Sequence, residues 1–191
     1  LAIAALAFVR CGHKEVYGSD SHPTTGGGHW SYVGNTGPSK WADLNPSYAA
    51  CRDGKQQSPI DIDKSDDRKL APLTFSYKPS EFSVIDNGHT IQANFSQGNT
   101  VNIRGETYEL VQMHFHVTSE HTLSHKSFPM ELHFVHKNKE GKLAVVGVWM
   151  EIGSANKELD TLWSKIPHEK NIDTKVAGVK LDPNGFLPTQ R

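Results

Sequence analysis

Histidine is the residue type in this sequence whose number and spacing could support chemistry. The chain of 191 residues has 11 histidines, and they are concentrated between residues 114 and 136. Residues 112–116 alternate polar and apolar side chains, as a half-buried β-strand does, and every second side chain of a strand lies on the same face. His114 and His116 would therefore share a face with Gln112. At this spacing two imidazoles can bind one metal ion.

A second segment, residues 131–136, repeats the arrangement with Glu131, His133 and Val135 on one face. If the two segments pair antiparallel, His133 can supply a third imidazole. Three neutral imidazoles leave a coordination position for water, which is typical of a catalytic zinc site rather than a structural one. Gln112 and Glu131 lie beside the histidines and can accept their second ring N–H, which fixes the tautomer.

The alternative interpretation is that these histidines are ordinary side chains. A His-x-His pair in a strand is often two surface or hydrogen-bonded core histidines. The Glu-x-His segment, with polar residues in matching positions, favours a metal site.

The elements that must position these residues are mainly short strands. Apolar and alternating segments bounded by Gly, Asn, Pro or charged pairs predict strands at residues 83–85, 90–95, 100–103, 108–117, 130–136 and 143–150. Asn87-Gly88 and Arg104-Gly105 are typical of hairpin turns. A helix is predicted by the spacing of Leu159, Leu162, Trp163 and Ile166, with Ser154 or Asn156 as its cap and Pro167 at its end. These patterns predict a β-rich α+β domain with a few peripheral helices.

Composition excludes several classes of protein. The net charge is −1, so there is no basic surface for nucleic acid. The apolar run at residues 1–9 is too short for stable membrane insertion. Its small residues are typical of a signal peptide, so residues 1–10 are predicted to be a remnant of one and the protein to be exported, periplasmic or secreted; the alternative is a buried strand or a frayed terminus. Residues 11–28 would form a flexible lead-in to a domain at 29–191.

Several motifs in this order resemble the α-class carbonic anhydrases from about His29 to the end of the chain. The resemblance is carried by Gly37-Pro38 with Trp41, Gln57-Ser58-Pro59-Ile60-Asp61-Ile62, Asn87-Gly88-His89, Gln112-Met113-His114-Phe115-His116, Ser119-Glu120-His121-Thr122 and Glu131-Leu132-His133-Phe134-Val135-His136. It implies a single domain built on a large, twisted, mostly antiparallel sheet, with Zn²⁺ at the base of a cleft.

The resemblance also implies a role for each matching position. His114, His116 and His133 would bind zinc, and Gln112 and Glu131 would support them. His89 would shuttle protons, and Glu120 would belong to the network that orients hydroxide. Tyr32, Asn87 and Gln92 would order water, with Gln92 in place of the family's asparagine, and Val135 and Val145 would form the apolar wall for CO2. His121 and His136 match structural positions, and His125 and His168 have no assigned role.

The implied reaction is reversible hydration of carbon dioxide to bicarbonate and a proton by metal-bound hydroxide, with the histidine as proton shuttle. The family pattern continues beyond Arg191 with a threonine that contacts the position of Glu120 and, in exported members, a cysteine that pairs with the position of Cys51. The resemblance therefore predicts that residues 29–191 are a partial domain and assigns the activity to the full-length protein.

Two other functions remain open at this point. One is a carbonic anhydrase-like domain used for binding or adhesion, although such members usually lose a zinc ligand. The other is a zinc hydrolase, although the sequence has no His-Glu-x-x-His helix or nucleophile elbow. The oligomeric state is open, with a dimer as one option.

Overall fold

The computed structural model of the chain describes residues 29–66 and 69–189. The predicted signal-peptide remnant at 1–10 and the lead-in at 11–28 lie outside the described residues and stay predictions. The described residues divide between two compact units, 29–58 and the part that follows from Pro59. Every helix in the described residues is too short or too polar to span a bilayer.

The unit at residues 29–58 is built from short helical turns. Its α-helices are α1 (Trp41–Leu44) and α2 (Ala50–Asp53), joined by turns of 3₁₀ helix. The indole N–H of Trp41 donates to the carbonyls of Ser31 and Thr36, and its ring packs edge to face against Trp30. Isolated aromatic side chains thus hold an irregular segment together.

The second unit is organised around an eight-stranded sheet with antiparallel pairing throughout. Its strands are β2 (Thr74–Ser76), β3 (Phe82–Asp86), β4 (Ile91–Phe95), β5 (Thr100–Ile103), β6 (Glu106–His116), β8 (Met130–Lys137), β9 (Leu143–Met150) and β10 (Thr174–Lys175). A separate parallel pair joins β1 (Asp61–Ile62) to β7 (Thr122–Leu123). The β-rich fold class predicted from the sequence is confirmed.

Strand β6 is the centre of the sheet. β4 and β5 pair with successive parts of one of its edges, and β8 pairs with the other edge. β9 continues the sheet beyond β8, and β3 and β10 continue it beyond β4. The two histidine segments therefore lie side by side, with His114 directly opposite His133.

A β-bulge in β6 decides which side chains face the core. The register against β8 shifts between Leu110 and Gln112, so one extra residue, Val111, stands on β6. Before the bulge the buried Leu110 has an even number, whereas after it the buried apolar residues are Met113 and Phe115. Because a bulge reverses the alternation, the even-numbered residues from Gln112 onward lie on the face opposite the core.

One α-helix of the second unit packs behind this sheet. Helix α3 (Lys157–Trp163) begins after Asn156, whose Oδ1 accepts from the backbone N–H groups of Glu158 and Leu159. Leu162 is fully buried, and Trp163 packs edge to face on Phe115 with ring centroids 4.8 Å apart. The helix ends before Ile166, one turn earlier than the apolar spacing predicted. It supports the back of the strand that carries His114 and His116.

Candidate metal centre

Three histidines meet on the face of the sheet opposite the core. One ring nitrogen from each of His114, His116 and His133 lies within 4.8 Å of the other two. The ring centroids are 4.9 Å apart for His114 and His116, and 4.6 Å apart for His116 and His133. The bulge in β6 and the pairing of β6 with β8 place these rings together.

In two of these rings, those of His114 and His133, a hydrogen bond holds one nitrogen and leaves the other facing the cluster. Gln112 Oε1 lies 2.8 Å from His114 Nδ1, so this nitrogen donates and Nε2 is left as an acceptor or ligand. Glu131 Oε1 lies 2.8 Å from His133 Nε2, which leaves Nδ1 of that ring. Both contacts follow from the i, i+2 spacing on a strand. They are the tautomer-fixing contacts that metal-binding histidines usually have.

Glu131 is the central acceptor of this network. Its Oε1 also accepts from His121 Nδ1 at 2.7 Å, and its Oε2 accepts from the backbone N–H of His121 at 2.8 Å. Burial opposes ionisation of Glu131, but the hydrogen bonds from His121 and His133 outweigh it and hold the pKa of the carboxyl well below its usual value. The carboxylate is therefore ionised and accepts from both rings.

Two of the imidazoles, those of His114 and His116, are kept neutral, which is the state that binds a metal. Burial, reinforced by the neighbouring imidazoles, lowers the pKa of His114 to about 3. The same causes lower the pKa of His116 to about 4. Because three imidazole nitrogens lie within reach of one ion, the set fits Zn²⁺, which accepts imidazole readily and leaves a fourth position open in catalytic sites.

Glu120 lies beside the cluster in the segment between β6 and β7. Its Oε2 is 3.3 Å from His116 Nε2 and 3.9 Å from His133 Nδ1. Burial raises the pKa of this carboxyl, while His133 opposes the shift. The structure thus brings the predicted acidic residue to the metal-facing side of two of the rings.

His121, Glu131 and His133 form a second group with three potential ligand atoms close together. In this group the carboxylate is already hydrogen-bonded to both rings. The arrangement supports the neighbouring cluster rather than competing with it for an ion.

An apolar wall lies next to His133. Val135 of β8 pairs directly with Val145 of β9, and Val135 is two residues from His133 on the same strand face. Val135 is buried and Val145 half-buried. Both predicted substrate-pocket residues are therefore adjacent to the histidine cluster.

The predicted water-ordering and proton-shuttle residues are spread over two units. His89 is exposed in the turn between β3 and β4, and its backbone N–H donates to Asn87 Oδ1 at 3.0 Å. Gln92 lies opposite His114 in the β4–β6 pair. Tyr32 belongs to the other unit, where its ring packs against Trp30.

Sequence reasoning missed Thr90, which ties the His89 turn to the histidine strand. Its hydroxyl donates to the carbonyl of Phe115 at 2.6 Å and accepts from the N–H of the same residue at 3.1 Å. Phe115 stands between His114 and His116. No pattern in the sequence marks this contact, because a threonine at the start of a strand is common.

Three further histidines of the described residues lie outside the cluster. His136 is fully buried on the core side of β8, with Nε2 2.6 Å from the hydroxyl of Tyr77. His125 is exposed and contacts Asp61, with 2.7 Å between Nδ1 and Oδ2. His168 is exposed after helix α3.

Residues 36–191 match the family model described as eukaryotic-type carbonic anhydrase. A carbonic anhydrase of Pectobacterium carotovorum is 42% identical over 162 residues, which cover 83% of this chain and 66% of the relative. A carbonic anhydrase of Nostoc sp. is 35% identical, over 85% of this chain and 63% of the relative. The chain thus spans about two thirds of the length of the curated relatives it matches.

A solved structure agrees with these sequence matches. The α-carbonic anhydrase of Thermovibrio ammonificans, in complex with the inhibitor sulfanilamide, is 40% identical and superposes with a TM-score of 0.81. The match covers 87% of this chain and 74% of that structure.

Proposed function

Because this chain belongs to the eukaryotic-type (α) carbonic anhydrase family, we propose that it carries the zinc site of an enzyme that reversibly hydrates carbon dioxide to bicarbonate and a proton. The family resemblance drawn from the motifs is thereby confirmed. The activity belongs to the whole protein, of which this chain carries the histidine cluster.

The observation that carries the proposal is the geometry of the three imidazoles. His114, His116 and His133 offer ring nitrogens within 4.8 Å of one another. Gln112 and Glu131 hold two of the rings with the remaining nitrogen available. Zinc, when bound by such a set, supplies the Lewis acidity that generates hydroxide from water near neutral pH.

Each neighbouring residue has a defined task in this proposal. Val135 and Val145 offer an apolar surface beside His133, where CO2, which has no net dipole, can rest without displacing hydrogen-bonded water. The carboxylate of Glu120, beside His116 and His133, accepts a hydrogen bond within the network that orients hydroxide. His89, exposed in the turn before β4, passes the product proton to buffer.

The test is zinc binding together with CO2 hydration on the full-length protein. His133→Ala is expected to abolish both tight zinc binding and stopped-flow hydration. His168→Ala is the matched control, because it removes an exposed histidine far along the chain from the cluster. Equal zinc affinity in the two variants would overturn the metal site.

The alternative of a binding domain makes a different prediction on the same protein. A zinc-loaded chain that binds the ion tightly but hydrates no CO2 would support that alternative. The retention of all three imidazoles favours the enzyme, because function lies in the site rather than in the fold.

A further inference from the structure

A chain of side-chain hydrogen bonds leads away from the histidine face of the sheet. Gln92 Nε2 donates to Asn94 Oδ1 at 2.7 Å, and Asn94 Nδ2 donates to Asp173 Oδ1 at 3.2 Å. Gln92 and Asn94 are two residues apart on β4 and therefore share a face. In the β4–β6 pair, Gln92 lies opposite His114 and Asn94 lies opposite Gln112.

Asp173 reaches this face from the far side of β3. The segment that contains it runs along β3: the N–H of Asn171 donates to the carbonyl of Asp86, and Thr174 pairs with Val84. β3 therefore lies between the segment of Asp173 and β4. The hydrogen bond to Asn94 crosses over that strand.

The direction of both hydrogen bonds follows from the carboxylate of Asp173, which is the last group in the series. An ionised carboxylate can only accept, so Asn94 must present its amide nitrogen to Asp173. The oxygen of Asn94 then faces Gln92, so Gln92 must present its own nitrogen. This orientation leaves Oε1 of Gln92, an acceptor, for other partners, together with the second hydrogen of its amide nitrogen. An isolated glutamine could instead present either end of its amide.

We propose that Asn94 and Asp173 are positioning residues that fix the amide of Gln92, so that it offers an acceptor oxygen to solvent on the face that carries His114. This inference rests on the proposed function, because its consequence is the ordering of water between the cluster and His89. Proton transfer along water requires each molecule to donate forward. A fixed acceptor keeps a neighbouring water molecule in one hydrogen-bonded position, whereas an amide that turns over disturbs the order of the water.

The decisive variant is Asp173→Asn. An asparagine can donate as well as accept, so Asn94 and then Gln92 lose their fixed orientation while side-chain size is preserved. The double variant Asp173→Asn, Asn94→Asp restores an acceptor-only group next to Gln92, and the amide introduced at position 173 donates to it. Glu169→Gln is the control, because it makes the same carboxylate-to-amide change at an exposed position nearby.

Two measurements on the zinc-loaded full-length protein test the proposal. In ¹⁵N NMR, the side-chain amide signal of Gln92, assigned from its absence in Gln92→Glu, should shift and exchange faster with solvent in Asp173→Asn and recover in the double variant. In stopped-flow hydration, kcat should fall by about two- to tenfold in Asp173→Asn, the range that one partly exposed hydrogen bond supports. kcat/KM should stay close to that of the unmodified chain, because the metal site is intact.

The outcomes separate this inference from the proposed function. An unchanged Gln92 signal in Asp173→Asn, or a double variant that recovers neither signal nor kcat, overturns the positioning role. Absence of CO2 hydration in the unmodified full-length protein overturns the proposed function instead. The NMR comparison still decides the orientation of the amide in that case.

Discussion

Gly147 of β9 lies directly opposite His133 of β8, and the missing side chain makes room for the carboxylate that holds this histidine. A Cβ placed on Gly147 would lie 2.8 Å from Glu131 Oε1, closer than side-chain carbons approach such an atom. A glycine within an apolar strand often marks such a close approach. This is the signal by which the sequence could have assigned Gly147 to the site.

Gly147→Ala is therefore expected to weaken zinc binding. The added methyl group must displace the carboxylate of Glu131, which weakens its hydrogen bonds with His133 and His121. We expect a loss of about 10- to 100-fold in zinc affinity, as for other changes to the partners of metal-binding histidines. Competition with a chromophoric chelator measures it. Gly153→Ala is the control, because a Cβ there meets open space; similar affinities in the two variants would contradict the role of Gly147.

Glu131→Gln tests whether the negative charge, and not only the shape, of this side chain matters. The carboxylate accepts from both rings at Oε1 and from the backbone N–H of His121 at Oε2. An amide has one acceptor atom, so its NH2 group would face one of these donors. The expected result is a loss of about tenfold or more in zinc affinity with a folded protein. Far-UV circular dichroism checks the fold. Unchanged affinity would show that the ionised form of Glu131 is not needed.

The sequence and the structure agree best where periodicity alone determines the element. Strands β5 and β9 have the predicted limits, and β3, β4, β6 and β8 differ by one or two residues at their ends, because alternation and turn residues are local signals. The face assigned to His114 and His116 was also obtained from alternation.

The structural features that the sequence did not predict depend on contacts between segments that are distant along the chain. The bulge at Val111 cannot be seen in a run of residues that all suit a strand. It nevertheless places Leu110 and Met113, three residues apart, on the same core-facing side. The contact of Asp173 with Asn94 joins residues that only the order of strands brings together. Such features follow from register, which the sequence does not state.

His136 predicts how the stability of the metal-free protein depends on pH. Burial lowers its pKa from 6.5 to about 4, with hydrogen bonds to the carbonyls of Ala144 and Phe134 opposing the shift. Between these two values the unfolded chain binds the proton and the folded one does not, so stability rises with pH across this window. The contribution is fully present above pH 6.5 and is lost as the pH falls toward 4.

The variant His136→Gln removes this titration. Its free energy of unfolding, measured in urea at pH values from 4 to 7, should change less steeply with pH than that of the unmodified chain. The difference in slope corresponds to about one proton fewer taken up on unfolding. His114 and His116 titrate in both proteins, so their contribution cancels in the comparison. Parallel curves would show that His136 is already protonated in the folded state.

Thr90→Val tests the contact between the start of β4 and the histidine strand. The substitution preserves the shape of the side chain but removes the hydroxyl that bonds to both backbone groups of Phe115. Since those groups lose a partner in a partly buried position, the free energy of unfolding should fall by about 1–3 kcal/mol. Thr90→Ser retains the hydroxyl and should lose clearly less. Because Phe115 stands between His114 and His116, we also expect zinc to dissociate faster from Thr90→Val than from Thr90→Ser, measured by stopped-flow transfer to a chelator. Equal dissociation rates would confine Thr90 to a role in stability.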